Sequence, residues 1–569
     1  MQTNKPGLTE PAQTDMPRRD GPAVPPAVPP GIARGALLIA GLSMMSRMLG
    51  LVRTLVFSQS VGAGCLGTAY VTANQVPNLI YELALGGALT SAMVPVLARS
   101  AERSATDPEA KARVAQITSA LLSWAVVILV PLMAIIIGVA RPIAGMLIPA
   151  NPNSGCARGD MVSITGTMLM VFAPQIVLYG LSVVLFGLLQ AHRRFTGPTL
   201  APVIANVVLI SCYLAFVPLD KGAGLARTPL AAELVLSIGT TMNIGTLVIV
   251  ALPPTWRLHL RLRPTLRFPP GVTRLAGGLA FVGVLEFLAT DLYQVVTIDL
   301  ANGHGTTGAL VLASYVSLVF NSVAAVLALS IVTSAFPVLS ATEGDVFDRT
   351  CAGFTRAVIL MSWLGTAVIA AVAVPAAHVL AKQSDQVPQL IQGFLMVAPA
   401  VAGFALITSV SRVMFAIGRL KVAAAGLVAG QLLQIVVSVP LVKLMPPDLT
   451  VGAIALGSAL AQLAVAVPMV LAIRRIRGAA AVAGVGHATL VSLGACVVGA
   501  AFGVGVTLVL PVGGKLAAVA TGAVAAAIAI ASFIAVAYAF DRGDLKTAAQ
   551  RIPGVSRLRR LAGRYRRRG

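Results

Sequence analysis

Residues 46–95 read SRMLGLVRTLVFSQSVGAGCLGTAYVTANQVPNLIYELALGGALTSAMVP. Two apolar segments flank a turn of small residues, and each is long enough to cross the roughly 30 Å hydrocarbon core of a bilayer. Arg47 and Arg53 lie inside the first segment; Asn78 and Glu82 lie inside the second. A charge at the centre of a bilayer costs about 3 kcal/mol or more, so such residues face a bundle interior or a wet cavity rather than lipid. The stretch therefore reads as a transmembrane hairpin with one polar face.

The same pattern continues outward along all 569 residues. The chain is 57% hydrophobic and only 11% charged, against roughly a quarter charged in soluble proteins. Apolar runs of about 20 residues recur without the short alternating segments of a β-barrel. The fold class is an all-α polytopic membrane protein. Fourteen spans are expected, at 35–57, 69–98, 115–140, 162–190, 198–218, 230–252, 272–301, 306–336, 354–381, 388–417, 421–442, 450–473, 486–510 and 516–540. Residues 1–31 are polar and Pro-rich, carry no signal-peptide pattern, and read as a disordered tail.

Charge gives the expected orientation. With the amino terminus inside, the inner loops hold eighteen basic residues, among them Arg193, Arg194, Arg257, Arg261, Arg263, Arg267, Arg474, Arg475 and Arg477, against seven in the outer loops. This bias places both termini in the cytoplasm. The net charge of +22 thus belongs to cytoplasmic loops and anionic headgroups, not to nucleic acid, for which the spans leave no binding module. The stretch RIPGVSRLRRLAGRYRRRG at the carboxyl end reads as a polybasic tail lying on anionic lipid. Apart from loops and tails, only Arg47, Arg53 and Arg412 remain inside spans. The five cysteines show no metal spacing; Cys65 and Cys156 both fall outside, where a disulfide is open to them, although small core residues are the preferred reading.

The basic, Pro-rich segment 253–271 separates six spans from those that follow, giving an amino-terminal lobe at 32–252 and a second lobe at 272–473. Spans thirteen and fourteen occupy 474–540, and the polybasic tail 541–569. FGLLQAHRRFTGPTLAP after span four and MFAIGRLKVAAAGLVAG after span ten are similar cytoplasmic turns at the same place in each six-span unit. An even number of spans per unit makes the repeat parallel, with a pseudo-two-fold axis along the membrane normal, a transporter signature.

Three stretches then carry a family resemblance. The first holds Ser46-Arg47-Met48-Leu49-Gly50-Leu51-Val52-Arg53, Gly62-Ala63-Gly64, Val76-Pro77-Asn78-Leu79, Gly86-Gly87-Ala88-Leu89 and Val94-Pro95. The second runs from Ala173-Pro174 through Tyr179, Ser182, Gly187, Phe195, Pro198 and Ala201-Pro202 to Asn206, and the third from Phe415 to Lys421. The chain resembles the MurJ (MviN) family of lipid II flippases in the MOP transporter superfamily, and Tyr81-Glu82-Leu83-Ala84-Leu85-Gly86-Gly87 resembles its actinobacterial members. The resemblance implies alternating access of two six-span lobes around a cationic cavity. It also implies a lipid-tail groove on the last two spans, and lipid II as cargo, exported across the bacterial cytoplasmic membrane for peptidoglycan synthesis. Cell-wall synthesis proteins are the implied protein partners.

Arg47 and Arg53, about one and two-thirds turns apart on a helix, can each fork two hydrogen bonds onto diphosphate oxygens. Asn78 and Glu82 complete the expected substrate site, with a helix–helix contact for Asn78, snorkelling for Arg53 and pairing with Glu82 for Arg47 as the plain structural alternatives. Thr68, Tyr81, Leu318 and Asn321 stand where many members carry charged residues, so the cavity is less basic than the family pattern. Glu286, Asp291 and Asp299 make span seven acidic and are candidates for sodium or proton coupling and for response to membrane potential, a structural pair with Arg412 being the alternative. No Walker motif, nucleophile–base pair or metal cluster points to an enzyme or a bound cofactor. The rival readings are another MOP-type transporter, exporting a polysaccharide lipid or a drug, and a non-transporting cell-wall scaffold.

Overall fold

The computed structural model describes residues 30–82, 103–104, 107–220, 229–269, 272–329, 339–540 and 542–543, with side chains described outside 30–40, 272–282 and 328–329. The Pro-rich amino-terminal stretch, the polybasic tail beyond 543 and the motif residues Gly86 to Pro95 lie outside them. The described elements are helices. They are α1 (Pro30–Ser60), α2 (Cys65–Tyr81), α3 (Pro108–Gly138), α4 (Ala140–Leu147), α5 (Arg158–Phe172), α6 (Pro174–Ala191), α7 (Thr196–Asp220) and α8 (Leu230–Trp256) before the linker. After it come α9 (Val272–His304), α10 (Ala309–Ala324), α11 (Gly344–Leu380), α12 (Gln386–Val397), α13 (Ala400–Ala416), α14 (Leu420–Leu444), α15 (Thr450–Arg477), α16 (Val485–Val509) and α17 (Lys515–Phe540). Among the described residues eleven helical segments are long and apolar enough to cross a membrane. The other three expected spans fall on α1, α2 and α9.

The internal repeat is visible in backbone detail. Expected spans four and ten are each broken in two, α5–α6 before Pro174 and α12–α13 at Pro399. Proline cannot donate to the preceding turn, and the chain passes the break through short-range bonds from Ile176 N to Ala173 O and from Val401 N to Ala398 O. Both halves then end in the same cap. Arg194 N donates to Leu189 O and Arg419 N to Met414 O, each at 2.8 Å, with Arg193 (φ 57°) and Gly418 (φ 74°) in the left-handed conformation. This is the Schellman arrangement that closes a helix. The two cytoplasmic turns that look alike in sequence are thus one structural device used twice. A third correspondence follows: α2 and α10 run 17 and 16 residues before widening into a π-turn, at Glu82 and at Ala325–Leu329.

Packing uses small residues, as expected where lipid tails give helices no hydrophobic reason to associate. α1 packs on α7, α7 on α8, α2 on α5 and α3 on α6; after the linker, α14 packs on α15, α13 on α15, and α16 and α17 on each other and on α11. Gly403 of α13 lets backbones come close where it meets α15, since a Cβ there would lie 2.6 Å from the backbone of Gln462. The linker is bound to the first lobe. Residues 259–269 run extended along α3, with Arg263 N and Thr265 N donating to Ser119 Oγ and Ser123 Oγ, and Trp124 Nε1 donating to Leu266 O at 3.0 Å.

Among the described residues, every hydrogen bond joining the helices before the linker to those after it lies at one end of the bundle. Lys382 Nζ donates to Ser60 O (2.6 Å) and Gln59 Nε2 to Val379 O (3.1 Å). Asn151 Nδ2 donates to Asn302 O and Gly305 O (2.8 Å each), and Asn302 Nδ2 donates to Leu147 O (2.8 Å) and Thr72 Oγ1 (3.1 Å). Thr307 Oγ1 donates to Ser154 O. Gly308, at φ 83°, brings its loop against the backbone of Ala63 so closely that no Cβ fits. An apolar cluster holding Phe57, Ala63, Ile298 and Val311 backs this seal from both lobes. At the same end Cys65 and Cys156 form a disulfide, which corrects their reading as separate small core residues. The loop 148–157 folds back over the start of α2 and brings the two sulfurs together, a proximity that 91 residues of separation concealed.

Candidate functional site

The polar residues of the opening stretch are placed differently: Arg53 and Asn78 lie beside residues of their own lobe, and Glu82 reaches a cavity of the other. Arg47 is exposed and Arg53 half-buried. Arg53 lies within electrostatic range of the phenols of Tyr70, Tyr213 and Tyr179, so it turns into the lobe instead of snorkelling to an interface. Beneath it the Tyr70 hydroxyl shares hydrogen bonds with Tyr213 (2.9 Å) and Thr240 Oγ1 (2.7 Å), tying α2 to α7 and α8. Phe57 and Phe172 pack their rings on Tyr70. This buried polar triad is a firm floor under the arginine.

Asn78 is held by the neighbouring helix. The Tyr179 hydroxyl of α6 donates to Asn78 Oδ1 at 3.0 Å, and the Tyr179 ring lies over Tyr81 with centroids 4.2 Å apart. The structural alternative for Asn78 is therefore realised, and only its amide N–H groups remain for another partner. Among the described residues Arg47 and Glu82 form no ion pair. Glu82 instead lies at the edge of a cavity of about 350 Å³ in the second lobe, bounded by α9, α10 and α12 to α15.

Span seven divides its acids. Asp291 lies within electrostatic range of Glu82 across the lobes, and its Oδ1 is buried with no hydrogen-bond partner. Glu286 is near the guanidinium of Arg412 on α13, the pairing anticipated as the structural alternative. Asp299 is exposed, three residues before the Asn302 of the seal, and is not brought to the cavity. Thr68 serves α2 itself, its Oγ1 donating to Gly64 O at 3.0 Å, Tyr81 packs on Tyr179 of α6, and Asn321 lines the cavity. Sequence reasoning missed the cavity's other polar lining on α9, α14 and α15. Glutamines and serines inside apolar helices carry no charge to draw attention, and only their shared depth marks them. A second, apolar hollow of about 550 Å³ lies between α16 and α17, lined by Phe502, Val506, Val509, Val524 and Ile528.

A family model described as lipid II flippase MurJ matches residues 57–534. A lipid II flippase MurJ of Burkholderia cenocepacia is 28% identical over 185 residues, 32% of this chain and 34% of that protein. A probable lipid II flippase MurJ of Haemophilus influenzae is 42% identical over 57 residues, 10% of this chain and 11% of that protein. The chain thus aligns with about a third or less of these curated relatives' length. A solved lipid II flippase MurJ in an inward closed conformation superposes with a TM-score of 0.67 at 15% identity, covering 89% of this chain and 99% of that one. An inward-facing multidrug resistance MATE family transporter of the MOP superfamily gives 0.59 at 14%, covering 78% and 99%. At such identities the likeness shows a shared fold. The family match runs from the end of α1 into α17 and takes in all the helices that build the seal and the cavity, so this multi-pass membrane protein belongs to the MurJ family of lipid II flippases.

Proposed function

We propose that this chain carries lipid II, a polyprenyl-diphosphate glycopeptide, from the inner to the outer leaflet of the cytoplasmic membrane by alternating access. The carrying observation is Arg53, half-buried over the Tyr70–Tyr213–Thr240 triad, with Arg47 on the same helix. Two guanidinium groups on one helix match a diphosphate better than a multidrug pocket, which needs no fixed anion site. The family is one of transporters, and no reacting group need be sought.

The orientation with both termini inside is supported by two independent features. Basic residues concentrate in the loops at the end away from the seal. The Cys65–Cys156 disulfide sits at the sealed end, and disulfides belong to oxidising compartments. On this reading the seal closes the cavity to the outside. The apolar hollow between α16 and α17 takes the polyprenyl chain while the headgroup crosses. Of the acids proposed for sodium or proton coupling, Asp291 is the best candidate, since its Oδ1 is buried with no hydrogen-bond partner and it lies within electrostatic range of Glu82 on the other lobe. The polybasic tail holds anionic lipid, and cell-wall synthesis proteins receive the cargo.

The test is lipid II exposed on the outer leaflet of cells depleted of the protein. Exposure should collapse on depletion, return with the intact chain, and fail to return with Arg47→Ala or Arg53→Ala expressed to the same level. Unchanged exposure in a strain with no second flippase would overturn the proposal.

A further inference from the structure

The second-lobe cavity is lined by a hydrogen-bonded row whose polarity is fixed by its first member. Gln434 Nε2 donates to Gly430 O at 3.2 Å and to Gln431 Oε1 at 2.7 Å. A backbone carbonyl can only accept, so Gln434 must turn its Oε1 the other way, where Ser458 Oγ donates to it at 2.7 Å. Ser458 has then used its proton, and it accepts from Gln462 Nε2 at 3.3 Å. The row ends at Gln462 Oε1, which has no partner although Gln462 is only 7% exposed and lines the cavity. Thr297, on the facing helix α9 and 9% exposed, also lines the cavity, with the Tyr293 hydroxyl beside it and beside Ser458. Buried polar atoms are nearly always satisfied, so Gln462 Oε1, at the end of the row and on the cavity wall, calls for a donor from the cavity.

The partner must bring donors. The row presents an acceptor, Glu82 at the cavity's edge is an acid, and among the described lining residues there is no arginine, lysine or histidine. An anion is therefore disfavoured. The volume of about 350 Å³ falls among small-molecule sites, roughly 300–1,000 Å³, and greatly exceeds one ion. Depth fits as well. At 1.5 Å per residue, Gln462 and Asn321 lie about 18 Å below the sealed ends of their helices, and Arg47 about 20 Å below the end of α1. The amide row and the arginines thus lie at a similar depth on opposite lobes.

We infer that this cavity is the subsite for the uncharged, hydroxyl- and amide-rich part of the headgroup, whose O–H and N–H groups Gln462 Oε1, Thr297 and Glu82 read while the phosphates stay on the arginines. The inference rests on the flippase reading. It divides recognition between the lobes: the first binds what every polyprenyl diphosphate has, and the second binds what distinguishes a sugar–peptide cargo.

The experiment compares binding of lipid II and of polyprenyl diphosphate without a headgroup to the full chain in lipid nanodiscs, in sodium and in sodium-free buffer. Gln462→Leu keeps the volume and removes the acceptor. Asn321→Leu changes an exposed cavity residue outside the row and guards against loss of folding, which thermal midpoints monitor. Both variants should weaken lipid II binding about fivefold or more, the worth of one good hydrogen bond, and alter polyprenyl diphosphate binding less than twofold. Arg53→Ala should weaken both ligands. Equal loss for the two ligands in the leucine variants, or no loss for lipid II, overturns the subsite and leaves the flippase reading standing. An effect of Gln462→Leu confined to sodium buffer makes the cavity a cation site and also overturns it. Failure of the unmodified chain to bind either diphosphate lipid removes the flippase reading and the subsite with it.

Discussion

Asn302→Ala should loosen the seal by an amount that the structure fixes within narrow bounds. The Asn302 side chain, 9% exposed, gives one proton to Leu147 O and one to Thr72 Oγ1, both on the other lobe. These bonds exist only while the lobes are closed at this end. Each is worth about 0.5–1.5 kcal/mol net, and an orphaned buried carbonyl costs about 1–3 kcal/mol. A hollow of about 40 Å³ beside Asn302 has room for a water, which needs roughly 15 Å³, so the orphan is partly rescued. The equilibrium between sealed and open states should move by about 1–2 kcal/mol, or roughly 5- to 30-fold toward open. Electron–electron distance measurements between spin labels at Asn153 and Ser384, two exposed loop positions on opposite lobes, would read the shift, with Cys212, Cys351 and Cys496 replaced by alanine. Asn206→Ala is the matched control. It also loses two side-chain bonds, to Ser46 O and Pro202 O, but both lie within the first lobe. A distance distribution unchanged by Asn302→Ala, or changed equally by Asn206→Ala, would refute the reasoning.

Other consequences follow from single contacts. Thiol titration of the denatured, unreduced protein should count three free cysteines, Cys212, Cys351 and Cys496, and five after reduction; five throughout would dismiss the disulfide and its support for orientation. Gly403→Ala should destabilise the second lobe by about 1–3 kcal/mol, the usual cost of overpacking, because the added methyl meets the Gln462 backbone; a thermal midpoint equal to that of the unmodified chain would contradict this. Gly418→Ala places a side chain at φ 74° with open space around it. It should therefore cost only the left-handed backbone penalty of about 1 kcal/mol, measured the same way.

Much of this was legible in the sequence because bilayer energetics write it plainly. Apolar length gave the membrane class, and the similarity of the turns after spans four and ten anticipated the matching caps at Arg193 and Gly418. Arg53 was found because a charge in a span is rare. Its neighbours were harder to see. Tyr70, Tyr213 and Thr240 carry ordinary hydroxyls on three helices, and only folding shows that they share hydrogen bonds. Tyr179 stood out by resemblance, yet nothing local revealed that it would occupy Asn78 Oδ1. The disulfide was hidden by chain distance, since pairing across 91 residues is a property of the loop 148–157 and not of spacing. Asp299 was weighed by its acidity in a span and not by its face, which is exposed.

On the proposed function, the seal and the cavity together give substrate a way to drive opening. The seal's polar contacts are made chiefly to backbone carbonyls, those of Ser60, Leu147, Asn302, Gly305 and Val379. Once the lobes part, water can satisfy every one of these carbonyls, so each bond costs only its small net value to break. A ligand shifts such an equilibrium only by its differential affinity for the two states. The charges and amides are suitably divided for that purpose. Arg47 and Arg53 belong to the first lobe and the Gln434–Ser458–Gln462 row to the second, so a headgroup held by both changes its contacts whenever the lobes rotate. The π-turns at Glu82 and Ala325–Leu329 lie on equivalent helices of the two lobes, about 24 to 26 Å from the sealed end by helical rise. A π-turn loosens the regular helical bonding at one point. The sealed ends of α2 and α10 can therefore part at these turns, and Glu82, at the first of them, lies within electrostatic range of Asp291 on the other lobe.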